Sequence, residues 1–84
     1  MLYMVIETLR PGVRDKVYVR YRERGRMLPE GLDYVDSWPE ENGSRCFQLM
    51  MTDSPELLDG WTDQWDDLVR FEIVPVVESP TRTA

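Results

Sequence analysis

"LDYVDSWPEENGSRCFQLMMT", residues 32–52, holds two runs of β-forming residues on either side of one turn signal. Asn42-Gly43 is the strongest short hairpin signal, because both residues tolerate positive φ. Residues 32–38 and 44–52 are therefore expected as adjacent antiparallel strands.

Working outward from the hairpin, "LYMVIET" (2–8), bounded by "RPG", reads as a first strand. Val13, Val17, Tyr21 and Leu28 then recur at helical spacing, which predicts a helix over about 13–28 that ends before Pro29, with Gly31 helping the chain turn. Beyond the hairpin, Ser54 is the expected N-cap and Pro55 the first residue of a second helix. Leu57, Leu58, Trp61, Trp65 and Leu68 share one face of it. "VRFEIVPVV" (69–77) is a fourth strand, and Pro75, which cannot donate to a neighbour, assigns it to a sheet edge.

The order β-α-β-β-α-β is the split βαβ arrangement, in which right-handed crossovers lay both helices on one face of a four-stranded antiparallel sheet. The expected strand order, 4-1-3-2, independently puts the strand with Pro75 at an edge. The fold class is thus α+β, ferredoxin-like, as a single domain over residues 1–77 with 78–84 as a frayed tail. A chain of 84 residues buries only roughly 60% of its unfolded surface, so association with a second copy is in keeping with its size.

Alternation divides the strands into two sets. Leu2, Met4, Ile6, Val35, Phe47, Leu49, Met51, Val69, Phe71 and Ile73 are almost wholly apolar and are expected to meet the helices. The other set is mixed: Tyr3, Val5, Glu7, Tyr34, Asp36, Trp38, Cys46, Gln48, Met50, Glu72, Val74 and Val76. A solvent-facing sheet does not normally expose so many rings and aliphatic groups together, so this second face reads as a partner surface. The register that sets Val35 beside Phe47 and Leu49 is preferred, because the alternative buries Asp36 unpaired against the helices.

Composition limits the chemistry. The chain has no histidine, which removes the usual general base, the usual zinc ligand and the usual proximal haem ligand. Serine–histidine and cysteine–histidine nucleophile systems are excluded. The lone cysteine, Cys46, can form no internal disulfide and agrees with a reducing compartment. No apolar run reaches the ~20 residues of a membrane span, and the N-terminus lacks a basic signal region, so the expected location is cytoplasmic. Net charge is −6, although residues 10–26 hold seven of the ten basic residues. The second helix region is acidic, with Asp53, Glu56, Asp59, Asp63, Asp66 and Asp67, and should complement the basic helix beside it. No nucleic acid is expected as a partner.

The candidate site is the polar part of the mixed face. Asp36 and Glu7 are the expected catalytic groups, as carboxylates whose pKa burial among rings would raise, with Asp36 the preferred base. Tyr3, Tyr34, Trp38, Cys46, Gln48 and Glu72 are the expected substrate-binding residues. Glu7, Asp36 and Glu72 could converge on a hard cation, but no calcium-type loop is present, and neither a metal nor another cofactor is expected. The structural reading of the same residues is a hydrogen-bonded dimer interface that catalyses nothing. Cys46 reads as a small interior residue, and Trp61 and Trp65 as core.

The runs "RGRMLPEGLDYVDSW" (24–38), "RCFQLM" (45–50) and "WDDLVRFEIVPV" (65–76) resemble a bacterial family known only as domain-of-unknown-function 3303. The resemblance covers residues 1 to about 77. It implies a place in the dimeric α+β barrel superfamily, where two ferredoxin-like sheets pack face to face around an interior. Members of that superfamily include cofactor-free monooxygenases, lactone isomerases, haem-degrading enzymes and ring-cyclising proteins, and the lack of histidine separates this chain from those that depend on it. The expected function is accordingly that of a homodimer that binds a small, partly apolar molecule, or converts it by cofactor-independent acid/base chemistry of the isomerase, monooxygenase or cyclase kind. The alternative is a non-enzymatic dimerisation or interaction module.

Overall fold

The computed structural model describes residues 1–80; residues 81–84 of the expected tail lie outside the described residues. Along the chain run β1 (Leu2–Leu9), α1 (Arg14–Arg24), β2 (Asp33–Pro39), β3 (Arg45–Met51), α2 (Glu56–Thr62) and β4 (Val69–Val76). The antiparallel sheet has the order β2-β3-β1-β4, so Pro75 sits on an edge strand as its missing N–H requires. No helix among the described residues is long and apolar enough to cross a membrane.

The hairpin forms where Asn42-Gly43 put it, with different geometry. The Glu40 N–H donates to the Arg45 carbonyl at 2.7 Å and the Gly43 N–H to the Glu40 carbonyl at 2.8 Å, leaving residues 41–44 as the loop. Only Gly43 takes positive φ (77°); Asn42 instead accepts a hydrogen bond through Oδ1 from the Ser44 N–H at 2.9 Å.

Both helices are shorter than their apolar spacing predicts. Gly25, at φ 64°, ends α1 with its N–H on the Tyr21 carbonyl at 2.7 Å, and Met27 follows at φ 59°. Leu28 therefore reaches the core from a loop. Ser54 does not cap α2 with its side chain. After Thr62 the chain tightens into i→i+3 bonds, the Trp65 N–H reaching the Thr62 carbonyl at 2.9 Å and the Leu68 N–H the Trp65 carbonyl at 2.9 Å.

The two faces of β1 and β3 are the reverse of the expectation. Tyr3 pairs with Met50, Val5 with Gln48 and Glu7 with Cys46, while on the other side Val5 meets Ile73 and Glu7 meets Phe71. This is the face beneath the helices, and its core is Tyr3, Val5, Leu32, Met50, Leu58, Trp61 and Trp65, with Phe71 and Ile73 packed against them. Leu2, Met4, Ile6, Phe47, Leu49 and Met51 turn to the opposite face. Both faces of β1 are apolar, so alternation alone cannot say which one the helices cover. The cross-strand register decides it: β4 shows Phe71 and Ile73 inward and Glu72 outward, and antiparallel pairing brings Val5 and Glu7 to its inward side.

A β-bulge at Val35 breaks the alternation of "YVDSW". Tyr34 pairs with Met50, whereas Asp36 pairs with Leu49, so Val35 is the extra residue. Tyr34 and Ser37 consequently face the helices, and Asp36 and Trp38 the other side. Val35, expected in the core, is 46% exposed, while Val5 is completely buried. Val5→Ala should therefore cost about 2 kcal/mol, and Val35→Ala less than about 0.5 kcal/mol. Urea unfolding of both variants measures the difference.

Candidate functional site

α1 is a basic, β-branched and aromatic helix with no fully buried residue. It bridges the sheet loosely, and beneath it lies a cavity of about 250 Å³. That exceeds the roughly 150 Å³ apolar cavity that holds one benzene ring. Val17, Tyr18 and Tyr21 of α1 form one wall, Trp61, Trp65 and Phe71 another, and the floor is the sheet, with Glu7 from β1, Ser37 from β2, and Cys46 and Gln48 from β3. Arg26 reaches in from the loop after α1.

The register explains how a carboxylate comes to be there. Glu7 and Cys46 are direct cross-strand partners, and the Cys46 thiol donates a hydrogen bond to the Glu7 carboxylate. Burial raises the Glu7 pKa to about 7; the thiol hydrogen bond and the nearby Arg26 charge oppose that rise and do not cancel it. Burial also pushes the Cys46 thiol up, with the Glu7 charge adding to the effect, so at neutral pH it remains a thiol and a donor. An acid that titrates near neutrality can both accept and return a proton, which suits general acid/base work on a small molecule held against it. Gln48, buried beside it, donates through Nε2 to the Met50 sulfur at 3.1 Å.

The cavity mouth is held by an unusual acceptor. The indole N–H groups of Trp61 and Trp65 both donate to the Arg26 carbonyl, at 2.9 and 3.1 Å. Arg20 ties α1 to the chain after α2 through a two-pronged ion pair with Asp67, both contacts at 2.7 Å, and a bond to the Gln64 carbonyl at 2.9 Å. Its guanidinium also lies over the Trp65 ring.

Of the eight residues singled out from the sequence, the cavity brings together Glu7, Cys46 and Gln48. Tyr3 is buried in the core under the helices, and Tyr34 lies behind Arg26, whose guanidinium stacks on its ring at 3.8 Å. Asp36, Trp38 and Glu72 occupy the opposite face of the sheet, and Asp36 accepts the Ser37 N–H through Oδ1 at 2.8 Å. The expectation that Asp36 and Glu7 share a pocket on the non-helical face is thus corrected: the cavity is on the helical side, and only Glu7 lines it. The same division separates Glu7 from Asp36 and Glu72 as ligands for one cation, and among the described residues no group of three histidine, cysteine or acidic side chains could hold a metal ion.

Sequence reasoning missed Arg26, Tyr18, Tyr21 and Ser37. Arg26 lies in the basic run 10–26, which the apolar spacing places on a helix that in fact ends before Gly25, and the bulge hides Ser37. A signal was present in the two tryptophans one turn apart, since two buried indoles require an acceptor outside their own helix.

The sequence matches the family described as Domain of unknown function (DUF3303) over residues 1–83, and the chain belongs to that family. No curated protein matches it. Among solved structures it is similar to that of Rv0793 from Mycobacterium tuberculosis, at 13% identity and a TM-score of 0.56, over 95% of this chain and 98% of that one. The likeness is one of fold, ferredoxin-like α+β.

Glu7 gives the fold a measurable pH dependence. The folded chain keeps the Glu7 proton up to about pH 7, whereas an unperturbed glutamate titrates at 4.5. Between those values the folded state binds more protons, so stability falls as pH rises, by on the order of 3 kcal/mol in all. Glu7→Gln should be the more stable protein at pH 8 and show no gain at pH 4, as read by urea unfolding at the two pH values.

Proposed function

We propose that this DUF3303 chain binds a small, partly apolar molecule in the cavity between α1 and the sheet, and that Glu7 moves a proton on it. The observation that carries this reading is the conjunction of an aromatic-walled cavity of about 250 Å³ with one buried carboxyl on its floor that titrates near pH 7. The supported chemistry is removal of a proton from one atom of the ligand and its return at another, as in an isomerisation or a cyclisation. Such a reaction needs no cofactor, because the proton Glu7 accepts is the one it gives back. Cys46, as its hydrogen-bond donor, would steady the carboxylate during the transfer.

The proposal includes a homodimer. The outer face of the sheet carries the half-buried Leu2, Met4, Ile6, Phe47, Val74 and Val76 around the buried Leu49, with no helix over them, and Trp38 and Met51 beside them are 49% and 44% exposed. A second copy of the same sheet is the occupant whose apolar alternation matches it. Packing of the two outer faces would leave each cavity on the helical side of its own protomer. A cytoplasmic location is part of the same reading, motivated by the single free thiol. The exposed outer face equally favours a second reading, a dimerisation module without a ligand.

Two experiments separate these readings. In sedimentation at micromolar concentration the wild type should be a dimer and Ile6→Lys a folded monomer; a wild-type monomer would sink the dimer. For the cavity, a ligand-observed magnetic resonance screen of single-ring compounds should give binders that are lost in Val17→Trp, which fills the space from α1. No binders, or equal binding to that variant, would leave only the module. On a substrate so identified, Glu7→Gln should lower turnover by about 10²–10⁴ while binding changes only a few-fold.

A further inference from the structure

Arg26 is the one charged side chain besides Glu7 in the cavity lining, and its charge is not neutralised by an ion pair among the described residues. Arg20 and Arg45, by contrast, each hold a carboxylate at 2.7 Å. Arg26 is half-buried as a residue, and its guanidinium is packed 3.8 Å from the centroid of Tyr34 and 5.4 Å from that of Tyr21. One of its N–H groups donates to the Tyr21 hydroxyl at 3.3 Å. Its backbone is fixed as well, because its carbonyl receives both indole N–H groups and Met27 after it is held at φ 59°. A guanidinium so fixed offers planar, preoriented donors that suit a carboxylate better than a flexible lysine would. No carboxylate lies within ion-pair distance of it among the described residues, so its outward N–H groups are open to an anionic ligand.

We propose that Arg26 is an anion anchor, and that the molecule taken into the cavity is a small planar ring bearing an acidic oxygen. The acidic oxygen meets the guanidinium at the mouth, and the ring lies among Trp61, Trp65 and Phe71 above Glu7. This rests on the reading of the cavity as a small-molecule site. It adds a polarity to that site: the charged end of the ligand is outermost, and the atom that exchanges a proton is innermost.

Benzoate and benzamide test the inference, since they share a ring and a shape and differ in charge. In titrations of the wild-type protein followed by ligand-observed magnetic resonance, benzoate should bind about tenfold or more tightly than benzamide. Arg26→Gln should abolish that preference, and Arg26→Lys should restore part of it. If the wild type binds both equally, or prefers the amide, the anchor is refuted while the cavity stands. Binding of neither compound, with other single-ring acids equally silent, overturns the anchor, and the small-molecule reading falls with it only if the neutral single-ring compounds of the screen are silent too. A preference that persists in folded Arg26→Gln refutes the anchor alone. Should that variant not fold, the wild-type comparison still decides.

Discussion

The Arg26 carbonyl, shared by the indole N–H groups of Trp61 and Trp65, is the contact on which the helical layer depends. It joins the loop after α1 to the α2 region across 35 and 39 residues of chain. Without it the two indoles would bury unsatisfied donors, and the left-handed backbone at Met27, whose side chain packs against the core, would lose a neighbouring tether. With it, the tryptophans stand on the sheet as pillars, and the end of α1 is held away from the strands. The cavity is the consequence: α1 is tied at its end and through Arg20 to Asp67, and it buries no residue completely along its length.

That arrangement also accounts for the raised pKa of Glu7. A carboxyl on a solvated sheet face would ionise in the ordinary carboxylate range. Under α1 it loses water, and the positive charge of Arg26 and the Cys46 thiol compensate only in part. The neutral form is therefore retained close to physiological pH. The residual imbalance costs stability above neutrality, which is the usual relation between a tuned site and the fold that carries it.

The sheet itself is apolar on both sides, and each side has a different task. One carries Tyr3, Val5 and Met50 against the helices, together with the polar trio Glu7, Cys46 and Gln48 where the helical cover thins. The other carries Leu2, Met4, Ile6, Phe47 and Leu49, edged by Asp36, Trp38 and Glu72. α1 and α2 cover only the first of these faces.

Local patterns were sufficient to read the element order, the antiparallel hairpin around Asn42-Gly43, the edge position of Pro75 and the membership of Glu7, Cys46 and Gln48 in one group of residues. Each follows from short-range chemistry: a positive φ, a missing N–H, a period of two. The residues could not reveal which apolar face the helices cover, nor that Val35 is an inserted residue that sends Tyr34 and Asp36 to opposite sides. Nor could they place Arg26 over the cavity, because its helix ends early at Gly25. Those features were decided by cross-strand register and by the acceptor the two tryptophans require, and both are relations between segments distant in sequence. An alternating strand specifies two faces equally well, and only its neighbours choose which one is inside.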